Sequence, residues 1–210
     1  MQQRELVKQS PIRSSYLSYS VHYGRVFAVE STLELDYLNL IRFEKTAESV
    51  ESQPFSIQFE LAGRPRRYTP DFLVVDHGIE YVDEVKTRNA ANKPEFRLKA
   101  EKLTRFFWNR GQIFRVLTED DIRPGHRAQN LRFLSPVLDL PSPIDEFETL
   151  LNETDKRSGS MTEFRRLLDD LTIDHSFIRR AVAHQLLQCD LTKPWSQLDF
   201  TWSPPHLQTF

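Results

Sequence analysis

Residues 68–86, YTPDFLVVDHGIEYVDEVK, constrain the fold of this chain more than any other segment. Two apolar, β-branched runs flank Asp76-His77-Gly78, a combination that favours the positive φ angles of a tight hairpin turn. The spacing therefore predicts an antiparallel hairpin. Strand side chains alternate between faces, so Glu84 and Lys86 point one way and Val85 the other. Asp71 precedes Glu84 by thirteen residues, a separation that antiparallel pairing through this turn folds into proximity. Two carboxylates and one ammonium then converge at the end of a hairpin.

The neighbouring segments supply layers for that hairpin. Ser31-x-x-Glu34 opens a run with Leu33, Tyr37, Leu40 and Ile41 at helical spacing, which predicts a capped helix to about residue 45. PFSIQFEL alternates strictly and reads as a half-buried strand, so three successive strands are expected to form an antiparallel meander. Pro94 suits a helix start, Phe96, Ala100, Leu103 and Phe107 mark one face, and Gly111 suits the end. QIFRVLT then predicts a strand parallel to IEYVDEVKT, reached by a right-handed crossover. The first domain is thus expected to be mixed α/β over residues 1–140. Residues 125–135 read as helical, and the two prolines of LDLPSPI suggest a junction near 138–144. Residues 141–210 read as a second, helical domain of winged-helix character, with helices near 145–153, 161–170 and 175–188 and a polar, aromatic tail bearing Trp195, Phe200 and Trp202.

Composition narrows the function classes. No apolar run approaches the roughly 20 residues that span a bilayer, and the N-terminal residues lack the apolar core of a secretory signal. A lone Cys189 makes neither an intrachain disulfide nor a cysteine-based zinc site, which fits a reducing cytoplasm. The formal net charge of −2 disfavours tight, solitary nucleic-acid binding. Charge is uneven, however: residues 86–110 hold eight basic side chains against two acidic ones. Arg88, Lys93, Arg97, Lys99, Lys102 and Arg105 of that stretch are candidates for DNA phosphate contacts, the alternative being a solvated helix face. Arg64, Arg66 and Arg67 add positive charge in a separate loop.

The converging charges suggest a reaction. Phosphodiester hydrolysis needs an activated water and neutralisation of extra negative charge, both within reach of a divalent cation. Magnesium prefers oxygen ligands and commonly takes one or two carboxylates. Asp71 and Glu84 fit that demand, the Val85 carbonyl is a further candidate ligand, and Lys86 is suited to orienting the water or balancing the phosphate. The plainer alternative makes Asp71 a turn starter and Glu84 and Lys86 a solvated charge pair. Context weighs against it, because these charges interrupt what reads as a covered central strand, where they are costly unless paired or metal-bound. Glu34 occupies a capping-box position and has a purely structural alternative, with Glu30 as the substitute acid. His22 and His77 lack partners at metal-ligand spacing, and no glycine-rich phosphate loop supports nucleotide hydrolysis.

VESTLELDYL, QPFSIQFELAGRPRRYTPDFLVV, YVDEVKT and FRVLTEDDIR, with the region of Asn130, resemble the TnsA endonuclease subunit of heteromeric cut-and-paste transposons. The likeness covers roughly residues 25–135. It implies a restriction-endonuclease-like mixed sheet flanked by helices, Mg2+ as cofactor with Mn2+ as substitute, and cleavage of the 5′ strand at each transposon end. It also implies a partner transposase that cuts the 3′ strand, a regulatory ATPase and a bacterial cytoplasmic, nucleoid-associated location. Carried over by position, Glu34 is the helix acid, Asp71 the strand acid, Glu84 the third metal ligand and Lys86 the lysine. Rival readings are a stand-alone restriction or repair nuclease and a non-catalytic scaffold of the same fold.

Overall fold

The computed structural model describes residues 16–155 and 157–202; the N-terminal residues expected to lack a secretory signal lie outside that range. By its internal contacts the chain divides into two compact units, one up to Ile122 and one from Arg123 onward.

In the first unit, β1 (Tyr16–Ser20) and β2 (Arg25–Val29) form a hairpin that leads into α1 (Thr32–Glu44). Ser31 caps the helix, its side chain accepting the Glu34 N–H at 3.1 Å. A mixed four-stranded sheet follows, in the order β3 (Ser49–Ser52), β6 (Phe72–Asp76), β7 (Ile79–Val85), β8 (Ile113–Leu117). β6 and β7 are antiparallel and joined by His77-Gly78, both at positive φ, as a tight hairpin turn requires. β7 and β8 are parallel, with α2 (Arg88–Ala91) and α3 (Pro94–Trp108) between them. α4 (Glu119–Ile122) ends the unit.

Each face of the sheet has its own apolar core. On one, Phe72, Val74 and Val85 pack with Leu33, Tyr37, Leu38 and Ile41 of α1. On the other, Val82 and Phe114 pack with Leu103 and Phe107 of α3. The central strand β7 is consequently buried from Val82 to Val85, even though two of those four residues, Asp83 and Glu84, are acidic. Asp83 is compensated on the α1 side: the Tyr37 hydroxyl donates to it at 2.5 Å and Arg115 donates through Nε and Nη2 at 2.7 and 2.8 Å.

The expected three-strand meander does not form. PFSIQFEL becomes β4 (Ile57–Leu61), which pairs only with β5 (Arg64–Tyr68) in a separate two-stranded ribbon. The segment RYTPDFLVV breaks between Tyr68 and Phe72. Pro70 lies in that break, where its lack of an N–H removes no ladder bond. The strand beside β6 is instead the short β3.

The second unit contains α5 (Arg127–Leu134), α6 (Ile144–Glu153), β9 (Ser158–Ser160), α7 (Met161–Asp170), α8 (Ser176–Ala183), β10 (Leu187–Cys189) and β11 (Asp199–Trp202). Its sheet runs β10-β11-β9. α5 lies on this side of the division, N-terminal to the prolines near 138–144, because Asn130 donates to the carbonyls of Leu191 and Lys193, both at 2.8 Å. The helix expected over 175–188 stops at Ala183: Gln185 adopts φ 57° and turns the chain into β10. The aromatic tail is no tail, since Phe200 and Trp202 lie in β11 and are buried, with Phe164 against both. Among the described residues no helix is long and apolar enough to cross a membrane.

Candidate active site

The β6–β7 register pairs Phe72 with Asp83. One step further, Asp71 lies opposite Glu84, and its N–H still donates to the Asp83 carbonyl at 3.1 Å. Asp71 Oδ2 accepts the Val85 N–H at 2.7 Å, so backbone on the neighbouring strand fixes its carboxylate. The Lys86 ammonium lies 3.5 Å from Asp71 Oδ2, 3.2 Å from Glu84 Oε1 and 3.1 Å from the Val85 carbonyl. Three oxygens thus gather around one positive charge.

Enclosure tightens that arrangement. The Glu84 side chain is 3% exposed, Asp71 17% and Lys86 33%, which raises the electrostatic stakes of each group. Burial pushes the Asp71 carboxyl up to about 7, against the pull of Lys86 and the Val85 N–H, with the charges of Glu84 and Glu34 adding to the rise. Burial works the other way on Lys86, yet Asp71 and Glu84 beside it hold its pKa above the ordinary lysine value. Asp71 therefore binds a proton easily and would give it up to a competing cation.

Those oxygens suit a hard divalent ion. Among the described residues, no three His, Cys, Asp or Glu side chains gather as a metal cage. Two carboxylates and a carbonyl remain, a set in keeping with magnesium's preference for few protein ligands and several waters. A lysine ammonium already bridges all three oxygens, which marks the spot as one where positive charge is favourable.

Glu34 sits differently. One of its oxygens accepts from the Ser31 hydroxyl and the other from the Glu30 N–H, both at 2.8 Å. It therefore closes the N-terminus of α1, although its charge still reaches Asp71 and Lys86. Glu30 instead accepts from Gln53 at 3.0 Å. His77 pairs with Asp76, and His22 packs edge-on against Tyr23.

The basic candidates fall into two groups. Arg88 bonds Asp120 and Arg105 bonds Glu101, while Arg97 bonds the Asn92 side chain at 2.8 Å. Lys93 and Lys102 are exposed. Lys99 faces inward, its ammonium 3.1 Å from Glu84 Oε1 and 4.4 Å from the centre of the Tyr68 ring. Tyr68 is buried, and its hydroxyl lies near the Glu84 carboxylate. Burial and the nearby Glu84 charge both raise its pKa. The sequence reading offers Lys99 as a DNA-phosphate contact rather than as a neighbour of Glu84 and does not single out Tyr68, though one signal existed: Lys99 interrupts the stripe Phe96, Ala100, Leu103, Phe107, where an amphipathic helix should be apolar.

Residues 44–119 match the family described as TnsA-like endonuclease N terminal. The matched segment covers just over a third of the chain. It contains Asp71, Glu84, Val85, Lys86 and Lys99 and stops short of Glu34. Over that segment the chain is similar to the TnsA-like family, and its mixed sheet flanked by helices is the architecture that the resemblance implied. No curated protein matches the chain.

Proposed function

We propose, from the assignment of residues 44–119 to the TnsA-like endonuclease family, that this chain is a metal-dependent DNA endonuclease subunit of a cut-and-paste transposition machine. It hydrolyses phosphodiester bonds in the 5′ strands at transposon ends, beside a transposase that cuts the 3′ strands and under a regulatory ATPase. The observation that carries the chemistry is the convergence of Asp71, Glu84 and the Val85 carbonyl on the Lys86 ammonium within the matched segment.

In this reading Asp71, Glu84 and the Val85 carbonyl would hold Mg2+, or Mn2+ in its place. Such an ion would supply positive charge to the phosphate and acidify the attacking water. Lys86, released from its carboxylates, holds the phosphate oxygen or the water by a charged hydrogen bond. The water's oxygen forms the new bond to phosphorus, the bond to the leaving sugar oxygen breaks, and the water's proton is lost as the leaving oxygen gains one. Glu34 shapes the site through α1 and its negative charge.

DNA phosphates meet the exposed Lys93 and Lys102, with Arg88, Arg97 and Arg105 able to exchange their present partners for phosphate. Arg64 and Arg66, exposed on β5, add further positive charge. The second unit serves partner or DNA docking. From α6 onward its order of helix, strand, two helices and two strands supports the winged-helix reading.

The test uses end-labelled transposon-end duplex, with and without the partner transposase, in Mg2+ and in chelator. Cleavage confined to the 5′ strand, requiring Mg2+ and stimulated by the transposase, is the expected result. Efficient degradation of random DNA by the chain alone would overturn the transposition assignment.

A further inference from the structure

Glu84 is the most enclosed carboxylate of the site, and its Oε1 receives two ammonium groups. Lys86 comes from its own strand at 3.2 Å, and Lys99 reaches down from α3 at 3.1 Å. Lys86 is shared with Asp71, whereas Lys99 is directed at Glu84, so the two ammonium groups are not equivalent. Lys99 occupies the sheet-facing side of α3, where charge is unfavourable unless it is satisfied. Its ammonium is held between Glu84, the Tyr68 ring at 4.4 Å and the Phe96 ring at 5.6 Å. Both rings offer their negative faces to the cation.

We propose that Lys99 is a positioning residue of the site, fixing Glu84 through Oε1 and supplying the last positive charge needed for phosphodiester hydrolysis. This inference rests on the metal-dependent reading above. Asp71, Glu84 and a phosphodiester contribute three negative charges, and attack by hydroxide adds a fourth. A divalent ion with Lys86 contributes three positive ones, and Lys99 completes the balance. Glu34 is held at the N-terminus of α1 by neutral donors and keeps its charge, which also bears on Asp71 and Lys86 and adds to the demand for a second cation. When Lys86 turns to the phosphate, Lys99 remains on Glu84 and keeps that side chain from swinging. Tyr68 and Phe96 confine the ammonium, so it does not follow Lys86 out.

The experiment compares the intact protein with Lys99→Met, close in length and compatible with the two rings, and with Lys99→Arg. Two quantities are read: the Mg2+ midpoint of thermal stabilisation without DNA, and single-turnover cleavage of transposon-end DNA at saturating Mg2+ with the transposase. The charge balance predicts opposite movements in Lys99→Met. Its Mg2+ midpoint falls several-fold, because a repelling positive charge is gone. Its cleavage slows on the order of 100-fold, as expected for loss of one group that stabilises transition-state charge. Lys99→Arg restores most of both.

A purely structural Lys99 would lower the melting temperature and leave both quantities unchanged, which overturns the proposal. Should Lys99→Met fail to fold, Lys99→Gln in a Glu84→Gln background decides by Mg2+ response. With no charge left on residue 84, the further loss of Lys99 should move the midpoint far less than Lys99→Gln does alone, and equal movement in both backgrounds overturns the coupling. A wild-type chain with no Mg2+ response removes the metal-dependent reading itself. A normal wild-type response with wild-type behaviour in Lys99→Met removes only the role of Lys99.

Discussion

Asp71→Asn should make the metal-free protein more stable above neutral pH while abolishing cleavage. Burial holds the Asp71 carboxyl at about 7 in the folded chain, against an ordinary value of 3.8. Between those two pH values the folded protein keeps a proton that the unfolded chain has released. The folded state is thus favoured at low pH, and that advantage is lost as pH rises through about 7. At about 1.4 kcal/mol per pH unit, the full loss is roughly 4 kcal/mol. Asparagine is neutral throughout, and its amide oxygen can still accept the Val85 N–H. Part of the gain is offset because Lys86 loses one of its two carboxylates, so a net gain of roughly 2–3 kcal/mol at pH 8 is expected. The assay is urea unfolding of both proteins in chelator from pH 4 to pH 8, read as the difference at each pH, which cancels the other titrating groups. The wild type should fall relative to Asp71→Asn across that range, and Mg2+ should reduce the fall. Parallel curves, or a variant that is less stable at every pH, would refute the claim that Asp71 is a carboxylate strained by enclosure.

Further outcomes follow from the surroundings of the site. Glu34→Gln, which removes a negative charge acting on Asp71, should move the midpoint of that pH transition downward, and an unmoved midpoint would detach Glu34 from the site. Ser31→Ala should cost about 1 kcal/mol in urea unfolding, the usual loss of an N-cap. Arg115→Met leaves the fully buried Asp83 without its guanidinium and should cost roughly 3–5 kcal/mol, whereas Tyr37→Phe removes one charged hydrogen bond and should cost roughly 1.5–3 kcal/mol. Replacing Lys93 and Lys102 together by alanine should lower the salt slope of DNA binding by about 2, roughly one per phosphate contact, with little change in sequence preference.

How far the sequence reaches depends on whether a residue's partner is local. The β6–β7 hairpin was legible because its turn, alternation and spacing lie within one segment, and these suffice to bring Asp71 opposite Glu84 and direct Lys86 to the same face. α3 was legible from Pro94 and its apolar stripe. β3 was missed because Val50 is its only buried residue and its neighbours are polar, so pairing with β6 is determined by the partner strand. The end of α8 was missed because Gln185, not glycine, carries the left-handed turn. The parting of two sheets at Pro70 was not legible, because it follows from the different partners of β5 and β6. For Lys99 the relevant signal was present but masked by the surrounding run of basic residues, which resembles a solvated helix face until the helix is docked on the sheet.

The central claim is that Asp71, Glu84 and Lys86 form a nuclease centre, and its most direct measurement is strand-specific cleavage of transposon-end DNA by Asp71→Asn at saturating Mg2+ with the transposase present. The account predicts loss of 5′-strand cutting on the order of 1,000-fold or more, in a protein that is folded and at neutral pH at least as stable as the wild type. Cleavage within about tenfold of wild type, or inactivity accompanied by unfolding, would contradict it.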